Sequence, residues 1–335
     1  MEKKIRWALI GAGTIAKKRV CAAIFDEPRS DLVIIVDRDV SKAKELAELY
    51  GCQTYSDNFQ DAIENPDVDA VYIATPVFLH AEQTVAAIEA GKHVICEKPL
   101  ALDYRSAIRV VKAAQKSGVR ATTAYFRRFS PKYLFTKELI TKGIFEKILL
   151  TRICYHTWFQ ILPQSPLFWR AQKDLSGGGI IFDMGSHMFD VLIGLFGLPV
   201  SVFAKMRKIV FDYSVEDSSA IIMEYENGML VTASFNWNSK TYAHEFEIIG
   251  TRAKIRWIPY DGDKITLITD SKVEEVEKPN YKNVHYPLIE DFVSAIKENR
   301  NPAISMEDAA KTNLLMEACY LSSQQSREIY LKEIS

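Results

Sequence analysis

Several things are scarce in this chain. Its five cysteines (Cys21, Cys52, Cys96, Cys154 and Cys319) are odd in number and scattered, with no Cys-x-x-Cys and no Cys/His cluster of zinc spacing. A disulfide framework or zinc module is thereby excluded, no metal is expected, and reduced thiols in a cytoplasmic protein are the default. Net charge is scarce too. Lys+Arg number 42 against 43 Asp+Glu, and the resulting -1 gives no basic field for nucleic acid or anionic membrane. No apolar run approaches the roughly 20 residues that span a bilayer. The start, Met1-Glu2-Lys3-Lys4-Ile5-Arg6, is charged and runs directly into a strand and glycines, so a cytosolic start is expected rather than a secretory signal. Repeats, low-complexity tracts and Pro/Ser linkers are missing as well. What remains is ordinary globular material, 48% apolar and 25% charged, whose 335 residues suggest two directly joined domains.

Residues 5–10 read as a buried parallel strand. Gly11-Ala12-Gly13-Thr14-Ile15-Ala16 follows at once, then a helix to about Phe25. G-x-G-x-x-A in strand–turn–helix context is a dinucleotide fingerprint. Gly11 allows the tight turn, Gly13 lets the backbone approach a pyrophosphate, and Ala16 lets helix and strand pack closely. The helix N-terminus supplies free N–H groups for phosphates. Thr14 and Ile15 are assigned to the cofactor site with the glycines. The second strand, 32–36, ends at Asp37. A carboxylate there can accept from the adenosine ribose hydroxyls and would repel a 2′-phosphate, which favours NAD. The adjacent Arg38 can hold a 2′-phosphate, so NADP or dual use stays open.

Short strands near 53–54, 70–74, 93–95 and 119–124 alternate with helices, which predicts a doubly wound parallel sheet over residues 1–124. Thr75 and Pro76 follow the fourth strand at its carboxyl edge, near the expected middle of the cofactor. His80, in the first turn of the next helix, either bonds locally or faces the cofactor. Glu97-Lys98-Pro99 follows the fifth strand. A lysine just past a strand end points into the crevice where ligands bind. A strongly hydrated cation pinned there between a carboxylate and a proline is better explained by chemistry than by packing. Cys96 beside it reads as a small buried hydrophobe.

From residue 125 the pattern changes. Tyr125 to Pro131 lead into an amphipathic helix to about Lys142. Alternating β-rich runs follow at 148–155, 200–209, 218–225, 230–237, 245–249, 254–258 and 264–269. They predict a large, mostly antiparallel open sheet in an α+β domain over residues 125–335. Ser176-Gly177-Gly178-Gly179 reads as a flexible turn before a helix, 180–196, that carries Asp183, His187 and Asp190 on one face. An aspartate one turn from a histidine can fix its tautomer and raise its pKa towards the working pH. The bland alternative is a half-buried histidine tied to a structural carboxylate; the glycines and the nucleotide-binding first half favour catalysis. Tyr155, His156, Trp158, Phe168, Trp169 and Arg170 crowd the same region, a mixture that suits a sugar or polyol pocket. Arg170 is the best substrate-contact candidate, because arginine is costly to bury idly.

Taken together, these segments resemble the Gfo/Idh/MocA oxidoreductase family. The matching pieces are the Gly11–Ala16 fingerprint, Ala74-Thr75-Pro76 with His80, Glu97-Lys98-Pro99, Arg127-Arg128-Phe129-Ser130-Pro131, and the three glycines followed by Asp183-x-x-x-His187-x-x-Asp190. The resemblance runs over essentially the whole chain. It implies a Rossmann domain, a C-terminal open-faced sheet that often makes homodimers or homotetramers, and NAD(P)-dependent redox at a sugar or polyol carbon. It implies that Lys98 hydrogen-bonds the reacting hydroxyl, that His187 moves the proton, and that Asp183 orients His187 or holds a neighbouring hydroxyl. Thr75, Pro76, His80, Glu97 and Lys98 then join the cofactor contacts; Tyr125, Arg127, Trp169 and Arg170 join the substrate contacts. The site is expected in the cleft between the domains, and a cis peptide before Pro99 is expected from the family. Two positions depart from the pattern: Val77, where asparagine is common, and Ser186, where a small apolar residue is commoner. Two other readings remain on this scaffold, a glycoside hydrolase that uses NAD transiently and a non-catalytic nucleotide or sugar sensor.

Overall fold

The computed structural model describes residues 3–334; Met1, Glu2 and Ser335 lie outside the described residues, and with them part of the expected cytosolic start. The described residues up to Phe126 form one compact unit together with Tyr281–Ala310. Arg127–Asn280 form a second with the residues from Lys311 on.

The first unit is built on β1 (Ile5–Ile10), β2 (Ser30–Val36), β3 (Thr54–Ser56), β4 (Ala70–Ile73), β5 (His93–Cys96) and β6 (Ala121–Thr123). All pair in parallel, in the order β3-β2-β1-β4-β5-β6. Parallel strands covered on both faces need continuous apolar runs rather than alternation. The chain supplies them: Ala8, Leu9, Ile35, Val71, Tyr72, Ile73, Val94 and Ile95 are all fully buried. The strand order reverses between β1 and β4, which makes their carboxyl ends the place for a ligand. Helices are cut to length by local signals. Asp39 accepts from the Ser41 amide at 3.2 Å to start Val40–Tyr50, and Gly51 ends it at φ 68°.

Residues 281–310 correct the expected continuous second domain. The helix Tyr286–Lys297 buries Leu288, Ile289, Phe292 and Val293, and Phe292 meets Trp7 of β1 at 5.7 Å. Arg29 donates to the Ser294 hydroxyl at 3.1 Å and Thr122 to the Ile304 carbonyl at 2.7 Å. An apolar helix face covers whichever sheet leaves a matching gap, and nothing local in the helix says which sheet that is.

The second unit contains β7 (Ile148–Trp158), β8 (Ser201–Arg207), β9 (Ser218–Glu224), β10 (Leu230–Asn236), β11 (Asn238–Gly250), β12 (Ala253–Trp257), β13 (Lys264–Thr269), β14 (Val273–Glu277) and β15 (Ile329–Tyr330). They form one sheet in the order β14-β13-β12-β11-β7-β10-β9-β8-β15, antiparallel except for β7 against β10. Buried and exposed residues alternate along β9 and β10, so one face is packed and the other open. The packed face meets helices: Phe189 lies 5.8 Å from Phe235, and the Trp257 indole donates to Thr136 at 3.2 Å. The run Lys173–Phe196 is long and apolar enough by composition to cross a membrane, which the reading of apolar runs missed. With 72% of its apolar window buried inside the protein, it is placed as a core helix.

Candidate active site

In the first unit the fingerprint is built around a close approach. Gly11 has φ 97°, and a Cβ there would sit 2.6 Å from the Ala74 carbonyl oxygen, so only glycine fits between β1 and the end of β4. Gly13 is different: a Cβ would meet nothing within 4 Å. Exposed Gly13 and Thr14 and half-buried Ile15 lead into the helical turn Ala16–Val20. This open cradle at a helix start fits a dinucleotide pyrophosphate. Asp37, half-buried at the end of β2, accepts from the Ala12 amide at 2.7 Å and from the Asp39 amide at 2.9 Å. It thus shapes the glycine loop; Arg38 beside it is exposed.

Thr75 donates to Gln83 at 2.6 Å, and Pro76 precedes the helix Val77–Glu89. Val77 is buried at 6% exposure, so its side chain packs inward. His80 is buried, with Nδ1 2.8 Å from the Pro99 carbonyl and Nε2 2.8 Å from the Thr75 carbonyl. Its ring ties two sheet-end loops together. Burial pulls its pKa below the ordinary value, against the pull of both carbonyls. The Lys98–Pro99 peptide is cis, as the family leads one to expect. Lys98 is half-buried and Tyr125 fully buried. Cys96 is fully buried and its thiol is pushed up by burial, as a small core hydrophobe would be.

Glu97 turns inward. It accepts from the Tyr72 hydroxyl at 2.8 Å and from the Lys98 amide at 3.2 Å, and His285 Nε2 lies 3.5 Å away. Burial alone would raise its pKa. The donors His285 and Tyr72 outweigh burial and hold it below the ordinary carboxylate value.

In the second unit the glycine run is not a flexible turn. A Cβ on Gly178 would lie 1.9 Å from the Tyr320 hydroxyl, and one on Gly179 would lie 2.0 Å from the Glu216 carbonyl oxygen. The glycines serve close packing. Glu216, absent from the sequence reading, is buried and accepts from the amides of Gly179 at 3.0 Å and Ile181 at 3.1 Å, and from the Tyr320 hydroxyl at 2.7 Å. The helix then begins with a wide turn, Ile181–Gly185, before the α-helix Ser186–Phe196.

The three expected helix residues part company. Asp190 is fully buried and its carboxylate lies 2.7 Å from Arg128, a structural ion pair. Asp183 is more open and meets the Arg170 guanidinium at 3.4 Å. His187 is buried at 7% exposure. Arg170 also lies over the Trp169 ring at 5.5 Å. On β7, burial, with the charge of Asp183, pushes the Tyr155 phenol up to about 12. Tyr155 lies edge-on to His244 at 4.9 Å, and His244 Nδ1 lies 3.1 Å from Asp261. Arg127, expected at the substrate, pairs with Asp261 at 2.5 Å and lies over the Tyr260 ring at 4.8 Å. His156 falls on the opposite face of β7, 3.0 Å from the Ser234 hydroxyl, because neighbouring strand residues point oppositely. Among the described residues no group of three or more His, Cys, Asp or Glu is placed to hold a metal.

Residues 5–125 match the family model described as an oxidoreductase family with an NAD-binding Rossmann fold, and residues 133–256 match the GFO/IDH/MocA C-terminal domain. The chain is 30% identical over 320 residues to Oxidoreductase P35 of Formosa agariphila, covering 95% of this chain and 98% of that protein. It is 29% identical over 312 residues to the 1,5-anhydro-D-fructose reductase of Ensifer adhaerens, covering 90% and 91%. A solved levoglucosan dehydrogenase in complex with NADH and levoglucosan superposes with a TM-score of 0.90 at 25% identity, over 98% of this chain and all of that one. Fold and glycine cradle define a dinucleotide-dependent oxidoreductase. The chain belongs to the Gfo/Idh/MocA oxidoreductase family.

Proposed function

We propose that the chain is an NAD-dependent dehydrogenase or reductase acting on a secondary alcohol or ketone of a cyclic sugar, polyol or sugar derivative. The observation that carries this reading is the Asp183–Arg170 pair at 3.4 Å, beside Tyr155 and one helical turn before His187. A carboxylate, a guanidinium and a phenol grouped next to an imidazole can grip adjacent hydroxyls and move one proton. A relative named 1,5-anhydro-D-fructose reductase and a similar structure solved with NADH and levoglucosan support a cyclic sugar as the substrate class.

Bound NAD would supply the hydride acceptor at its nicotinamide ring. Lys98 hydrogen-bonds the reacting hydroxyl and stabilises its developing negative charge. His187 takes the hydroxyl proton as the C–H bond is given up, which leaves a ketone; in reduction it returns the proton. Asp183, held by Arg170, grips a neighbouring hydroxyl or orients His187. Asp37 supports NAD over NADP through repulsion of a 2′-phosphate. The open sheet face exposes Phe203, Ile222 and Leu230 at 37%, 51% and 44%, which supports a homodimer or homotetramer through that face. Small-molecule chemistry of this kind belongs in the cytoplasm.

The test is a screen of inositols, aldoses, amino sugars, anhydro sugars and nucleotide-linked sugars with NAD and NADP, read as reduced cofactor near 340 nm (roughly the absorbance of any reduced nicotinamide). Net formation of NADH with a sugar or polyol is expected, and it also separates a dehydrogenase from a hydrolase that returns its hydride. His187→Ala should lose about 10²–10⁴-fold in kcat with the Kd for NADH nearly unchanged. Tight NADH binding without turnover of any compound, or full turnover by His187→Ala, would overturn the reading.

A further inference from the structure

His285 is absent from every motif in the sequence, yet it reaches the Lys98 loop from within the same unit. Its side chain is fully buried, and Nε2 lies 3.5 Å from the Glu97 carboxylate. Among the described residues neither ring nitrogen has a closer hydrogen-bond partner. Glu97 in turn accepts from the amide of Lys98 at 3.2 Å. On its other side His285 is tied to the helix that follows the dinucleotide fingerprint, in two ways. Its amide donates to Asn283 at 3.0 Å, and the Asn283 side chain donates to the Arg19 carbonyl at 2.8 Å. Its ring packs against Phe126 with centroids 4.5 Å apart, and the Arg19 guanidinium lies over Phe126 at 5.4 Å.

We infer that His285 is a positioning residue for Lys98: through Glu97 it braces the Lys98 loop against the fingerprint helix. The inference rests on the reading of Lys98 as the group that polarises the reacting hydroxyl. A histidine that only filled the core would not need a buried carboxylate at its ring nitrogen, nor two tethers to the cofactor helix.

The brace has an electrostatic side. Glu97 is faced by Tyr72 from β4, Cys96 at the end of β5, Lys98 next in sequence, His80 from the helix Val77–Glu89, and His285; Arg19 adds its charge near Tyr72. Tyr72 and Cys96 are pushed up by burial and stay neutral at working pH. His80 keeps its two carbonyls whatever stands at 285. Removal of the His285 donor leaves only Tyr72 and Lys98 to oppose burial, and the carboxyl of Glu97 moves up. That carboxyl then takes up a proton as pH falls, and the negative charge beside Lys98 is lost.

The experiment compares His285→Phe, His285→Gln and Lys98→Met, with kcat and KM measured from about pH 6 to 9.5 alongside the Kd for NADH. His285→Phe should bind NADH within about threefold of the wild type and lose about 10–100-fold in kcat near pH 7, as a small misplacement of a reacting group does. The loss should deepen towards acid pH and recede towards alkaline pH. His285→Gln, which can still donate to Glu97, should restore a profile of wild-type shape. If His285→Phe does not fold, His285→Asn, polar but too short to reach Glu97, takes its place. A wild-type kcat and profile in His285→Phe, or a loss in both variants that is the same at every pH, overturns the inference. Wild-type turnover by Lys98→Met would instead sink the reading of Lys98 itself.

Discussion

Glu216 holds the amide of Gly179 at 3.0 Å, at the start of the helix that carries Asp183 and His187. The same carboxylate takes the Ile181 amide and the Tyr320 hydroxyl. A buried carboxylate at a helix start satisfies amides that have no partner within the helix, and its charge suits the positive end of the helix dipole.

Glu216→Ala leaves two amides and a phenol buried without their acceptor. It should cost about 2–4 kcal/mol in urea unfolding and lower kcat more than it weakens NADH binding. Gly179→Ala should do comparable damage, because its Cβ would collide with the backbone of Glu216 itself. A wild-type urea midpoint in both variants would mean that the helix start is held by something else.

Gly11 and Gly13 should separate by substitution. Gly11→Ala forces a Cβ onto the Ala74 carbonyl at a positive φ, so it should lower the melting temperature by several degrees, equivalent to about 1–3 kcal/mol. A Cβ from Gly13→Ala meets nothing within 4 Å among the described residues. The variant should melt like the wild type and yet raise the Kd for NADH about tenfold or more, as read by fluorescence titration. Equal effects on melting would contradict the cradle.

Asp37 should set cofactor choice. The wild type is expected to bind NADH at least about tenfold tighter than NADPH, since a carboxylate at the ribose repels a 2′-phosphate. Asp37→Ser should narrow that ratio chiefly by weakening NADH. It should also cost some stability, because the Ala12 amide loses its 2.7 Å acceptor. Paired titrations of the two cofactors decide it, and an unchanged ratio would point to Arg38.

Lys132 gives a pH signature. It is buried, donates to the carbonyls of Pro259 and Tyr260, and lies over the Trp257 ring at 5.6 Å. Burial pulls its amine down from 10.5 to about 8. Between those values the unfolded chain binds a proton that the folded chain has released, so stability rises with pH through that window. Relative to Lys132→Met, the wild type should gain on the order of 1–2 kcal/mol from pH 8 to 10 once solvent screening is allowed for. Urea midpoints at several pH values would show it, and parallel curves for the two proteins would refute it.

Much of the fold is legible in the order of residues. The apolar runs of the first half, the fingerprint at Gly11, the Asp39 and Gly51 caps, and the alternation of β9 and β10 are all local signals. The Lys98 strand end and the Asp183 and His187 helix were readable for the same reason. The partners of those residues were not. Asp190 was expected on the same helix face as Asp183, yet it is fully buried against Arg128 while the more open Asp183 meets Arg170. The only hint of Glu216 was a pair of acids just before an alternating strand, and His285 gave no signal at all.

Local periodicity, turn chemistry and short motifs therefore carry the class of this protein, because each depends on a few consecutive residues. Which carboxylate caps the His187 helix, and which histidine meets Glu97, was decided only by folding. Those contacts join segments far apart in the chain, and a buried charge takes its partner from whatever the packed sheets and helices bring within reach.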